Sequence, residues 1–118
     1  MVYNWQIKWE LKSLSKNELF NIISKAIVKQ IEGLPIERVS LQGNFVYDYN
    51  ADSLDIIAII LTLEEVFEKN MTTKIPTTEL DSVVIVEDIL SLIYNILIDI
   101  EKHMDPFKPI KPDYSKIV

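Results

Sequence analysis

The chain has 118 residues, 48% of them hydrophobic and 25% charged, which is the make-up of one globular domain with a single small core. It contains no cysteine, so disulfides, thiolate metal sites and a nucleophilic thiol of the protein itself are excluded, and any thiol chemistry must be brought by a cofactor. The formal charge of −6 is concentrated: residues 48–101 hold twelve acidic and two basic side chains, a field that repels nucleic acid and attracts partners with basic docking patches.

The first element differs from the rest. Tyr3, Trp5, Ile7, Trp9 and Leu11 alternate with polar residues, a strand-like period of two with no second strand to pair with. We expect residues 1–14 to form an extended arm, with Trp5 and Trp9 lying on apolar surface of the domain or in a self-association interface. A helix follows over residues 16–31, its broad apolar face built from Leu19, Phe20, Ile22, Ile23, Ala26 and Ile27. Ser15 and Glu18 fit a capping box at its start, and Gly33 and Pro35 stop it.

Residues 35–50 show no sustained period. Val39, Leu41, Phe45 and Val46 read as isolated anchors of a loop folded over the core, with turn chemistry at Gly43-Asn44 and Tyr49-Asn50. Asp52 is placed to cap a second helix reaching about Glu68, with Asp55 near its N3 position and both carboxylates favourable to the helix dipole. After a polar break over residues 70–74, Thr77 or Thr78 caps a brief third helix through residues 80–82. A fourth helix spans residues 84–103, with Val86, Ile89, Leu90, Ile93, Leu97 and Ile100 on one face. Pro106, Pro109 and Pro112 then predict an extended, mobile tail over residues 105–118. The fold class is all-α, with the bundle itself over residues 15–104.

The string from Asn44 to Asp55 closes the loop and opens the second helix. It resembles the acyl carrier protein family, in which a loop Phe, an acidic residue and then Asp-Ser-Leu precede an apolar helix; here these are Phe45, Asp48 and Asp52-Ser53-Leu54. Leu63-Glu64-Glu65 with Phe67, Ile75-Pro76 and residues 83–86 continue the likeness in order, over residues 15–98 in all. The resemblance implies a four-helix bundle of three main helices and a short third. It also implies that Ser53 carries a covalent 4'-phosphopantetheine arm taken from coenzyme A, holding an acyl group as a thioester. The implied partners are a phosphopantetheinyl transferase and acyl-transferring or synthase enzymes, docking on Asp52, Leu54, Asp55, Glu64 and Glu65. Such a carrier is no enzyme itself.

Independent chemistry supports the same serine, because a helix N-terminus offers N–H groups and a positive dipole end to a phosphodiester. No other constellation competes. His103 is the only histidine, and Glu64, Glu65 and Glu68 lack the loop spacing of a cation site, so no catalytic residue and no metal ligand is assigned. Apolar runs fall far short of the ~20 residues of a membrane span, and a cytoplasmic location is the default.

Three departures from the family pattern stand out. Residues 56–61 are wholly apolar, with Ala58 where the family places an acidic residue. Residues 70–73 look like an insertion, and both flanks are extra. Together they imply a carrier for one dedicated fatty-acid or polyketide-type pathway, against the alternatives of an aminoacyl or peptidyl carrier and a structural subunit of a larger complex.

Overall fold

The structure is a computed structural model that describes residues 10–71, 75, 77–103 and 109–118. Three α-helices dominate it: α1 at Lys16–Gln30, α2 at Ser53–Val66 and α3 at Val86–His103, with 3₁₀ turns at Ile36–Arg38, Thr77–Ser82 and Tyr114–Lys116. The described residues contain no β-strand beyond an isolated antiparallel bridge between Asn44 and Ile85. The protein is an all-helical bundle, as its periodicity predicts.

α1 begins where Ser15 Oγ accepts the Glu18 N–H, and it closes with the Ile31 N–H on the Ile27 carbonyl, shortly before Gly33 takes a left-handed φ of 84° that a side chain would resist. It buries Leu19, Ile22, Ile23, Ala26 and Ile27. α3 is amphipathic in the same manner and buries Val86, Ile89, Leu90, Ile93 and Leu97. α2 is different, because Ile56, Ile57, Ile59 and Ile60 are β-branched and slightly disfavour a helix. Its cap and its burial must therefore hold it.

Hydrogen bonds at the helix ends set the directions. Gln30 at the end of α1 donates to Asp55 at the start of α2, and Lys12 and Ser13 ahead of α1 donate to Glu101 near the end of α3. α2 and α3 therefore both run antiparallel to α1. The core between them includes Phe45 from the long loop and Phe67 after α2, both fully buried.

The structure corrects several sequence expectations. The third helix is a 3₁₀ segment starting at Thr77, α2 stops two residues short of Glu68, and α3 starts at Val86 because Asp88 Oδ2 accepts the Val84 and Ile85 N–H groups and so caps it. The larger correction concerns the C-terminal tail. Leu11 and Leu14, at the end of the segment expected to pack on the domain, are buried. The tail, read as extended and mobile, packs over residues 109–118. Ile110 and Ile117 enter the core, the Asp113 N–H donates to the Val66 carbonyl at 2.7 Å, and Lys29 Nζ reaches the Lys116 carbonyl at 2.7 Å. Ile110 N–H also meets Ser13 Oγ, so the two flanks close on each other. Trp5 and Trp9 lie outside the described residues.

Candidate functional site

The site is built by the loop that delivers the chain to α2. Phe45 is wholly buried and packs edge-to-face on Tyr49, ring centroids 6.1 Å apart. The Tyr49 hydroxyl accepts the Ser40 N–H at 3.0 Å and donates to the Arg38 carbonyl at 3.2 Å. Gly43 lies directly against that ring, and a Cβ there would collide with it. Phe45 N–H donates to the Val84 carbonyl, and Val86 N–H returns to the Gly43 carbonyl, tying the loop to the start of α3. Ala51 N–H then reaches back to the Phe45 carbonyl at 2.8 Å, while Asn50 takes a left-handed φ of 54°, which asparagine tolerates better than most residues. The chain thus turns sharply just before Asp52.

There Asp52 and Asp55 form a reciprocal capping box. The Asp52 carboxylate accepts the Asp55 N–H at 2.9 Å, and the Asp55 carboxylate accepts the Asp52 N–H at 3.1 Å. Ser53 is the first residue of α2, and its side chain is exposed. The Ser53 and Leu54 N–H groups have no intrahelical acceptor and are left for an outside one. Asp55 also accepts from Gln30 Nε2 at 3.1 Å; that hydrogen bond, and next the Asp52 backbone, hold its carboxyl below the usual carboxylate range. Asp55 is thereby drawn toward α1 rather than toward the serine.

The remaining candidates do not share one face. Leu54, Ile57, Leu61 and Glu65 line the outer side of α2, where Leu54 is 72% and Leu61 47% exposed. Asp55 and Glu64 stand nine positions apart, about 180° around the helix, and flank that stripe on opposite edges. Glu64 is half-buried and clamps the segment after α2, its carboxylate accepting the Ile75 N–H at 2.6 Å. The run at residues 56–61 is therefore not covered all round by the described residues: Ile56, Ile59 and Ile60 face the core while Ile57 and Leu61 face out. The Tyr49 latch and the Glu64 clamp were missed from sequence, the hints to the first being the turn chemistry at Gly43-Asn44 and Tyr49-Asn50. Among the described residues no cluster of carboxylates or His could hold a metal ion, and no helix is long and apolar enough to cross a membrane.

The structure thus presents an exposed serine at the first position of a capped helix on a small all-helical bundle. The chain belongs to the phosphopantetheine attachment site family, whose sequence model matches residues 25–90. It is similar to an acyl carrier protein of Campylobacter jejuni subsp. doylei, 31% identical over 72 residues that make up 61% of this chain and 88% of the relative. Acyl carrier proteins of Sulfurovum sp., 32% identical, and Campylobacter lari, 28% identical, match over 78 residues, 66% of this chain and 97% and 95% of theirs. Members carry 4'-phosphopantetheine covalently and are carriers rather than enzymes; their partners include a phosphopantetheinyl transferase and synthase enzymes. The residues at the head of α2 fit such a group, since an exposed hydroxyl sits beside two unclaimed N–H donors at a positive helix end.

Proposed function

We propose that Ser53 bears the arm, and that the chain carries acyl groups as thioesters for one dedicated fatty-acid or polyketide-type pathway in the cytoplasm. The observation that carries this reading is the exposure of Ser53 at the first position of α2, directly beside a closed capping box and inside the family match. Bound there, the arm supplies the thiol that this cysteine-free chain lacks. In the attachment step the Ser53 oxygen forms a phosphodiester with the phosphopantetheinyl group of coenzyme A. The pyrophosphate bond breaks, adenosine 3',5'-bisphosphate leaves, and the serine proton passes to a base of the transferase. Asp52 and Asp55 fix the helix start so that the hydroxyl is presented in one place.

The outer stripe of α2 supports the dedicated-pathway reading. Leu54, Ile57 and Leu61 offer an apolar strip next to the serine, with Glu65 on it and Asp52, Asp55 and Glu64 around it. That arrangement suits a partner enzyme with an apolar groove and a basic rim. The test is intact mass after incubation with coenzyme A and a phosphopantetheinyl transferase. The wild type is expected to gain one phosphopantetheine and Ser53→Ala none; an adduct on Ser53→Ala refutes the assignment.

A further inference from the structure

The tip of the long loop is held rigid while its side chains are left outside. Asn44 Oδ1 accepts the Val46 and Tyr47 N–H groups at 3.0 and 2.9 Å, the Asn44 N–H donates to Asp48 Oδ2 at 2.7 Å, and the Asp48 N–H returns to the Asn44 carbonyl at 2.8 Å. Four hydrogen bonds thus close one turn. Yet Tyr47 at its apex is 88% exposed and Val46 57%, with Val84 exposed on the segment that bonds to Phe45. A rigid turn has already lost the freedom that binding would otherwise remove, and Tyr is among the residue types enriched as anchors of protein interfaces.

We propose that Tyr47 and Val46 form a docking anchor for the phosphopantetheinyl transferase, an inference that rests on Ser53 being the modified residue. The Ala51 to Phe45 hydrogen bond joins the two stretches, and Tyr47 is two residues on from Phe45 as Ser53 is from Ala51, so Tyr47 and Ser53 lie at most about 20 Å apart. An interface of ordinary size, about 800 Å² on each partner, spans about 30 Å. The transferase must bring its reacting centre to the Ser53 hydroxyl itself, and one interface of that span holds both the serine and the loop tip. Enzymes that act later need only meet the thiol at the far end of a flexible arm. The exposed carboxylates of Asp48 and Asp52 frame the anchor, which asks for a basic rim around an apolar recess on the transferase.

The experiment is steady-state modification of the full chain by a phosphopantetheinyl transferase with coenzyme A, comparing wild type, Tyr47→Ala, Tyr47→Phe and Asn44→Ala. Tyr47→Ala is expected to raise KM for the carrier about tenfold with kcat retained, the scale of a single interface anchor. Tyr47→Phe keeps the ring and should stay near wild type, whereas Asn44→Ala loosens the turn and should raise KM with Tyr47 still present. An unchanged KM in Tyr47→Ala overturns the anchor, as does a melting temperature of that variant that falls as its KM rises. A dimer of the wild type that Tyr47→Ala dissolves, with KM unchanged, also overturns it and makes the turn a self-interface. A wild type that takes no adduct, or a Ser53→Ala variant that still does, defeats the serine assignment and the anchor together, a pattern distinct from any of these.

Discussion

At Gly43 and Tyr49 two residues six positions apart meet, and the absence of a side chain at Gly43 leaves room for the ring that holds the loop ahead of α2. The Tyr49 hydroxyl satisfies one N–H and one carbonyl of the loop, so Tyr49→Phe leaves the Ser40 N–H and the Arg38 carbonyl without that partner. We expect it to lower unfolding free energy by about 1–2 kcal/mol in urea titrations, while Gly43→Ala, which drives a methyl into the ring, costs more. Asp55 sets the pH response at the same scale. Its folded carboxyl is held below its ordinary value, so the unfolded chain takes up a proton first as pH falls. The stabilisation is present above the unfolded value and is lost as pH falls through the folded one. Gln30→Ala removes the first cause of that shift, and the Asp55 carboxyl resonance followed by NMR should then titrate closer to its ordinary value.

Among the elements, α2 shows how one apolar helix serves two purposes. Leu61 and Leu63 are the same residue type two positions apart, yet Leu63 is fully buried and Leu61 is half in solvent. Leu63→Ala should cost about 2–5 kcal/mol by removing buried methyl groups and leaving a cavity. Leu61→Ala should change stability by under about 1 kcal/mol, because an exposed side chain gives up little on truncation. Equilibrium denaturation of the two variants measures this contrast directly. An equal cost for both would mean that the outer stripe is covered rather than offered to partners.

For the whole molecule, the closing of the two flanks matters most. Ile110 and Ile117 are buried, and the backbone around them bonds to Ser13, Val66, Asn70 and Lys29 from three other parts of the chain. Ending the chain at residue 108 therefore removes core, not a loose extension. Burial of the two isoleucines alone contributes about 3–6 kcal/mol, and the truncated chain should show a correspondingly lower unfolding free energy and melting temperature. Asn70 is the joint of this closure: buried itself, it accepts the Lys111 N–H and donates to the Pro109 carbonyl. The family match covers residues 25–90, so this closure joins flanks outside it, at Ser13 and residues 109–117, to Lys29, Val66 and Asn70 inside it.

What the sequence determined by itself is whatever is decided within a few residues. The 3.6-residue period of α1 and α3, the Ser15 cap, the Asp52 and Asp55 capping box and the string around Ser53 all act over one or two helical turns, so they are legible without knowing what packs against them. The tertiary structure alone decided which side of α2 is buried, because residues 56–61 are apolar throughout and offer no polar face to mark the outside. It also decided that the proline-rich tail docks, since Ile110 and Ile117 show no apolar period, and the backbone around them bonds to Ser13, Val66 and Asn70, about forty or more positions away. Glu64 repeats the lesson: in sequence it is one acid of an acidic cluster, and only the return of the chain at Ile75 makes it a clamp. Burial and long-range hydrogen bonds are properties of pairs of distant segments, and one strand of text carries no record of which pairs will meet.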